Sequence, residues 1–256
     1  MIALITGASS GIGREISKEL AKRRYDLVIV ARNEELLNKL KIQIEEKYNV
    51  NVEVELCDVS DKNNCIDLHE RTYRKYGTID VLVNNAGFGT CGEFTDTDLD
   101  KELKMIDTNV TAYHILTKLF LQDMTKKNKG HILNVASIAG FMPGPLMATY
   151  YSTKAYVVRL TQSIRQELAM KESKVKVSAL CPGPVRTNFN KVADVKFNVP
   201  GQSSEYVAKY AVHKMFLNRT LIFPSFIIWL YRIICKIIPD QVAAFFCYFM
   251  QKRKIQ

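Results

Sequence analysis

The chain has 256 residues, 47% of them hydrophobic, with seven prolines and 36 Lys/Arg against 26 Asp/Glu, a net charge of +10. This composition, without repeats or low-complexity tracts, excludes extensive disorder and bounds one globular domain with a sizeable core. The six cysteines form no C-x-x-C pair and no Cys/His cluster of zinc-ligand spacing, so no metal is expected and the thiols read as reduced, in a cytoplasmic protein.

The opening "MIALITG" enters a strand at once, leaving no room for the basic and apolar segments of a signal peptide. Val/Ile/Leu-rich runs then recur: "IALIT" (2–6), "DLVIVA" (26–31), "VNVEVELC" (50–57), "DVLVNNAG" (80–87), "GHILNVAS" (130–137) and "KVKVSALC" (174–181). Such continuous apolar runs suit buried parallel strands. Between them lie segments of helical period, such as Ile12, Ile16, Leu20 and Leu36, Leu37, Leu40, Ile44. Alternating strands and helices predict an α/β fold: a doubly wound parallel sheet of the Rossmann type, over residues 1–224.

Ligands of such sheets bind beyond the carboxyl ends of the strands. The first strand ends in "TGASSGIG", a loop carrying Gly7, Ser9, Ser10, Gly11, Ile12 and Gly13 that opens a helix. Glycine permits close backbone approach, and free N–H groups at a helix start attract a phosphate. The spacing is G-x-x-x-G-x-G, and a tight strand-to-helix turn alone would also use such glycines. "CDVS" after the third strand and "NNAG" after the fourth add two more strand ends to the same edge.

"TGASSGIG", "NNAG", Ser137, "YYSTK" and "PGPVRT" stand in the order and approximate spacing of the classical short-chain dehydrogenases/reductases, which the chain resembles over roughly residues 1 to 190. The resemblance implies that Asp58 and Val59 flank an adenine and that Asn85, Ala86 and Gly87 pass along a ribose. Asp58 also suits a helix N-cap beside Ser60. In "CPGPVRT", Pro182 and Gly183 end the sixth strand, and the resemblance sets the backbone from Gly183 to Val185, with Thr187, against the nicotinamide carboxamide.

After the second strand a carboxylate would bind both ribose hydroxyls and repel a 2′-phosphate. Here stands Ala31, followed by Arg32, whose guanidinium grips phosphate with two donors while Ser9 adds a hydroxyl. NADP(H) is therefore expected over NAD(H). Arg14 is a second cation near the loop, better read as a helix-surface arginine.

"ATYYSTKAY" offers two tyrosines. Lys154 lies four residues after Tyr150, on the same helix face, whereas Tyr151 is turned about 100° away and reads as packing. Tyr150 is the acid on this reading, with Lys154 expected to lower its pKa toward neutrality. The resemblance adds Ser137, thirteen residues upstream, as hydrogen-bond donor to a substrate carbonyl, and Asn109 as the residue that positions a relay water. It implies hydride transfer to the carbonyl carbon, protonation by Tyr150, and Lys154 on the nicotinamide ribose. His69, His114, His131 and His213 fit no triad and read as structural or exposed.

Residues 188–204 are irregular, as a substrate lid would be. Beyond them "LIFP" reads as a seventh strand, and "FIIWLYRIICKII" and "VAAFFCYFMQKRK" as two helices of an extension over 225–256. From residue 188 onward ten Lys/Arg face three Asp/Glu, and basic plus apolar suits a membrane surface more than nucleic acid. Pro224, Arg232, Lys236 and Pro239 interrupt the run, so it does not span a bilayer. The extension has three open roles: roof of a greasy pocket, contact within a homodimer or homotetramer, or peripheral membrane contact. The expected activity is NADPH-dependent reduction of a hydrophobic carbonyl to an alcohol, or the reverse, with acyl-chain and steroid-like substrates among the candidates. The alternatives are an NADP-sensing regulator without turnover and a peripheral membrane protein with secondary reductase activity.

Overall fold

The computed structural model describes residues 1–187, 189 and 201–255. Strands β1 (Ile2–Thr6), β2 (Asp26–Ala31), β3 (Val52–Leu56), β4 (Val81–Asn84), β5 (His131–Val135) and β6 (Lys176–Leu180) match the six apolar runs, the last four shorter by a few residues at their ends. Val185–Arg186 (β7) pairs with Gln202–Ser203 (β8) in a separate two-stranded ribbon. Leu221–Ile222 (β9), from the "LIFP" run, adds the last strand beside β6. The main sheet has seven strands, all parallel, in the order β3-β2-β1-β4-β5-β6-β9. Its order reverses between β1 and β4, where Ile5 faces Val83, and this is the crevice that the doubly wound topology reserves for ligands.

Helices α1 (Gly11–Ala21), α2 (Glu34–Tyr48), α3 (Lys62–Tyr76), α4 (Leu99–Ile106), α5 (Ala112–Lys127), α6 (Ala148–Met170) and α7 (Ser204–Phe216) cover the sheet. Alternate strand residues feed two cores. Ala3, Ile5, Leu27 and Ile29 pack with Ile16, Leu20, Leu37 and Leu40 of α1 and α2 and with α7. Leu4, Val28 and Val30 pack with α3, α5 and α6 on the other face. Each fully buried aliphatic side chain contributes roughly 2 kcal/mol, well above an exposed pair such as Lys39–Glu35, so burial and not surface charge holds the layers together. Leu36 departs from the expected helical stripe. It is exposed, because the stripe of α2 runs through Leu37, Leu40 and Ile44.

Of the expected lid over 188–204, positions 188 and 190–200 lie outside the described residues, while Gln202–Ser203 is strand and Ser204 begins α7. Two further helices, α8 (Phe226–Ile237) and α9 (Asp240–Ile255), match the expected pair in the tail. α8 packs against the 3-10 turn Ile138–Phe141 beyond β5, and α9 buries Ala243, Cys247 and Gln251, so both return to the carboxyl edge of the sheet.

Candidate active site

The edge between β1 and β4 is locked by Thr6. Its hydroxyl accepts from the backbone N–H of Asn85 (2.9 Å) and Ala86 (3.1 Å). The Asn85 amide returns hydrogen bonds to the carbonyls of Thr6 (3.0 Å) and Gly7 (3.1 Å). Gly7 has φ +64°, and a Cβ there would lie 2.8 Å from the Cα of Ala86. A Cβ at Gly13 would lie 2.4 Å from both the Gly7 oxygen and the Asn85 amide nitrogen. These two positions require glycine because backbone fills the space a side chain would need. Sequence spacing does not single out Thr6, although it stands directly before the glycine loop.

Asn33, Asp61 and Asp98 cap α2, α3 and α4 with their side chains, but Ser10 makes no such bond at the start of α1. The first N–H groups of α1 therefore remain available, beside a loop whose glycines keep side chains out of the way. This cradle fits the pyrophosphate of a dinucleotide.

At the far end of the cradle the Asp58 carboxylate accepts from the Ser60 N–H (3.1 Å) and hydroxyl (2.8 Å). Burial acts to raise its pKa, but the Ser60 bonds, with Arg32 and Lys104, hold it below the ordinary carboxylate value. Arg32 approaches Asp58 at 3.6 Å with its side chain 67% exposed, so the ion pair binds it weakly. Lys104 of α4 approaches Asp58 at 3.5 Å and adds a second cation, one that sequence spacing does not reveal. Arg14 pairs instead with Glu15 on the surface of α1, as expected.

Near the carboxyl end of β5, Ser137 caps the 3-10 turn, its oxygen accepting from the N–H of Ala139 (3.1 Å). Tyr150 and Lys154 share one face of α6, with the ammonium 5.9 Å from the Tyr150 ring centroid and 5.4 Å from that of Tyr113. Lys154 is 4% exposed and donates to the Val135 carbonyl (2.9 Å). Desolvation pushes its pKa down to about 8. Tyr150 goes the opposite way from the sequence expectation. Burial pushes it up to about 12, against the opposing hydrogen bond from Ser137. The phenol loses more hydration than its neighbours return.

A five-residue π-helical turn, Asp107–Thr111, brings Asn109 inward. Its amide donates to the carbonyl of Phe88 (2.9 Å) and to the Thr153 hydroxyl (3.1 Å), and it accepts from the Phe88 N–H (3.1 Å). Thr153 in turn donates to the Tyr150 carbonyl (2.7 Å), so Asn109 ties the strand end to the helix of the tyrosine. Tyr151 borders the same cleft, its ring edge-to-face with that of Tyr150 at 6.1 Å between centroids. Its hydroxyl accepts from the Gln251 amide (2.5 Å) and its ring fills the space over Gly144, which anchors α9.

One cleft of about 1020 Å³ connects these parts. Every candidate residue from the sequence lines it except Gly13, which packs beneath the loop, and Asn109, which stands behind Gly87 and Lys154. Thr187 closes over the loop, with its methyl 3.0 Å from where a Gly11 Cβ would stand. The opposite end is walled by Met147, Phe189, Ile227, Ile228, Tyr231 and Met250. None of the four histidines lines the cleft. Among the described residues no cluster of side chains suited to a metal ion occurs.

Residues 1–196 match the family model described as short chain dehydrogenase. The chain belongs to the short-chain dehydrogenase/reductase family. An uncharacterized oxidoreductase of Staphylococcus epidermidis is 36% identical over 193 residues, 75% of this chain and 81% of that protein. The NADP-dependent 3-hydroxy acid dehydrogenase of Schizosaccharomyces pombe is 35% identical over 209 residues, 80% of this chain and 78% of that protein. Among solved structures, a short-chain dehydrogenase from Sphingobium yanoikuyae in complex with NADPH is 29% identical, with a TM-score of 0.82 and 88% of each chain covered. This short-chain dehydrogenase/reductase is thus an oxidoreductase on a Rossmann-type sheet, and its glycine cradle, strand-end asparagine and Tyr-x-x-x-Lys pair stand on one edge.

Proposed function

We propose that this protein is an NADPH-dependent carbonyl reductase, or alcohol dehydrogenase in reverse, for a hydrophobic substrate of acyl-chain or steroid-like character. The observation that carries the proposal is the convergence of Ser137, Tyr150 and Lys154 with the glycine loop on one cleft. Ala31 offers no carboxylate to the adenosine ribose, while Arg32 and Lys104 supply positive charge beside Asp58. This favours a 2′-phosphate, and the relative solved with NADPH and the NADP-dependent relative agree with it. Gly7, Ser9, Ser10, Gly11 and Ile12 would hold the pyrophosphate side, and Asp58, Val59 and Asn85–Gly87 the adenosine. Gly183, Val185 and Thr187 would hold the carboxamide.

The nicotinamide, when bound, supplies or accepts the hydride. Tyr150, with a pKa near 12, keeps its proton at neutral pH and delivers it to the carbonyl oxygen as charge develops there. Ser137 donates a hydrogen bond to the same oxygen. Lys154, still largely protonated near neutrality, holds ribose hydroxyls and favours the phenolate as the proton leaves. Asn109 would keep Tyr150 and Lys154 in register through Thr153, and the family resemblance gives it a relay water. The apolar wall selects greasy substrates, and the exposed Leu99, Leu103 and Ile106 of α4 offer surface for a homodimer or homotetramer.

The test is NADPH oxidation across aliphatic, steroidal and acyl-thioester ketones, with NADH in parallel. Tyr150→Phe is expected to abolish turnover while keeping NADPH binding, and Tyr151→Phe to have a mild effect. Tight NADPH binding without turnover on any carbonyl, or equal losses in the two variants, would refute the reading.

A further inference from the structure

The tail helices expose apolar residues in a pattern opposite to that of a helix packed on a soluble core. On α9, Val242, Phe245, Phe246 and Phe249 recur at i, i+3, i+4 and i+7, and all four point to solvent, while Ala243, Cys247 and Gln251 face the protein. On α8, Phe226, Leu230, Ile234 and Ile237 form a second exposed stripe, and Trp229 stacks on Phe226 at 5.4 Å between ring centroids. Two exposed apolar stripes of this kind on a water-facing side mark an interaction site.

Charge selects the occupant. Lys236 and Lys252 are exposed beside the two stripes, Arg253 and Lys254 follow in the chain, and Asp240 is the one carboxylate residue between 225 and 256. A second copy of the chain in a two-fold contact would set this cationic rim against itself, whereas an anionic lipid surface complements it. Among the described residues no helix is long and apolar enough to cross a membrane, and twelve-residue α8 is about 18 Å long, which leaves an orientation in the plane of the interface. Ile227 and Met250 are both exposed on this surface and part of the cleft wall, so the apolar end of the cleft opens where the membrane would lie.

We infer that α8 and α9 dock this protein on anionic bilayer interfaces and present the mouth of the active-site cleft to substrate dissolved there. The delivery of substrate rests on the reductase reading above, but the docking does not. Trp229 is the sole tryptophan of the chain, and it reports on the proposed face directly. The intact protein is mixed with phosphatidylglycerol or phosphatidylcholine vesicles that carry brominated acyl chains. Blue-shifted emission and bromine quenching are expected with phosphatidylglycerol, weakened by salt. The double variant Phe245→Glu/Phe249→Glu is expected to partition about tenfold less or weaker still, with unchanged NADPH turnover on a water-soluble ketone. Absence of quenching in the intact protein overturns the inference whatever the variant does. So does a Trp229 shift that depends on protein concentration without lipid, with dimers seen by sedimentation. If docking is seen but no ketone is reduced, the reductase reading fails and the docking stands.

Discussion

Replacing Lys154 by methionine should stabilise the fold while removing activity. The ammonium is 4% exposed, and desolvation depresses its pKa from 10.5 to about 8. At about 1.4 kcal/mol per tenfold, holding the charged form in the folded protein costs roughly 3 kcal/mol near neutral pH. The substitution loses the hydrogen bond to the Val135 carbonyl, about 1 kcal/mol, but that oxygen keeps a donor in the Tyr113 hydroxyl at 3.1 Å. Ring faces of Tyr113 and Tyr150 offset about another 0.5 kcal/mol of the original cost. The net gain is about 1 to 2 kcal/mol, or a Tm higher by about 4 °C in a chain of this size. The sign with pH follows from the direction of the shift. A base with a depressed folded pKa carries its penalty in full below about pH 8 and sheds it as pH rises toward 10.5, the value in the unfolded chain. The advantage of Lys154→Met should therefore be present near neutrality and largely gone by about pH 10. Thermal unfolding of both proteins at the two pH values, without nicotinamide, measures it, and NADPH turnover in the variant should fall by about 100-fold or more. A variant less stable than the parent at neutral pH, or a gap that does not change with pH, would refute the desolvation argument.

Gly13→Ala should abolish NADPH binding and destabilise the fold by about 2 kcal/mol or more, because its methyl meets the Gly7 oxygen and the Asn85 amide at 2.4 Å; cofactor titration and thermal unfolding check this. Arg32→Ala should weaken NADPH binding by about tenfold or more and leave NADH binding nearly unchanged, since a charge-assisted phosphate contact is lost. Equal changes for the two cofactors would assign the 2′-phosphate to Lys104 or to neither residue.

What was legible in the sequence was local. Buried parallel strands announce themselves as apolar runs, the loop glycines by their spacing, and the shared helix face of Tyr150 and Lys154 by a four-residue interval. What stayed hidden depended on groups brought from afar. Thr6 matters through Asn85 and Ala86 on another strand, Lys104 through Asp58 after β3, and Asn109 through an extra residue in a helical turn that no propensity predicts. The error over Tyr150 has the same origin. A lysine at i+4 is visible along the chain, but the burial that raises the phenol is assembled in three dimensions, with Phe189 packed on its ring and Ser137 opposing the shift. Tyr151 shows how far such information lies from its use: the partner of its hydroxyl, Gln251, is 100 residues away. Adjacent tyrosines on one helix thus both border the cleft, while the hydroxyl of Tyr151 is tied to the helix that walls it. The two rings meet edge-to-face, with centroids 6.1 Å apart, so the side chain held by α9 is also a packing neighbour of Tyr150.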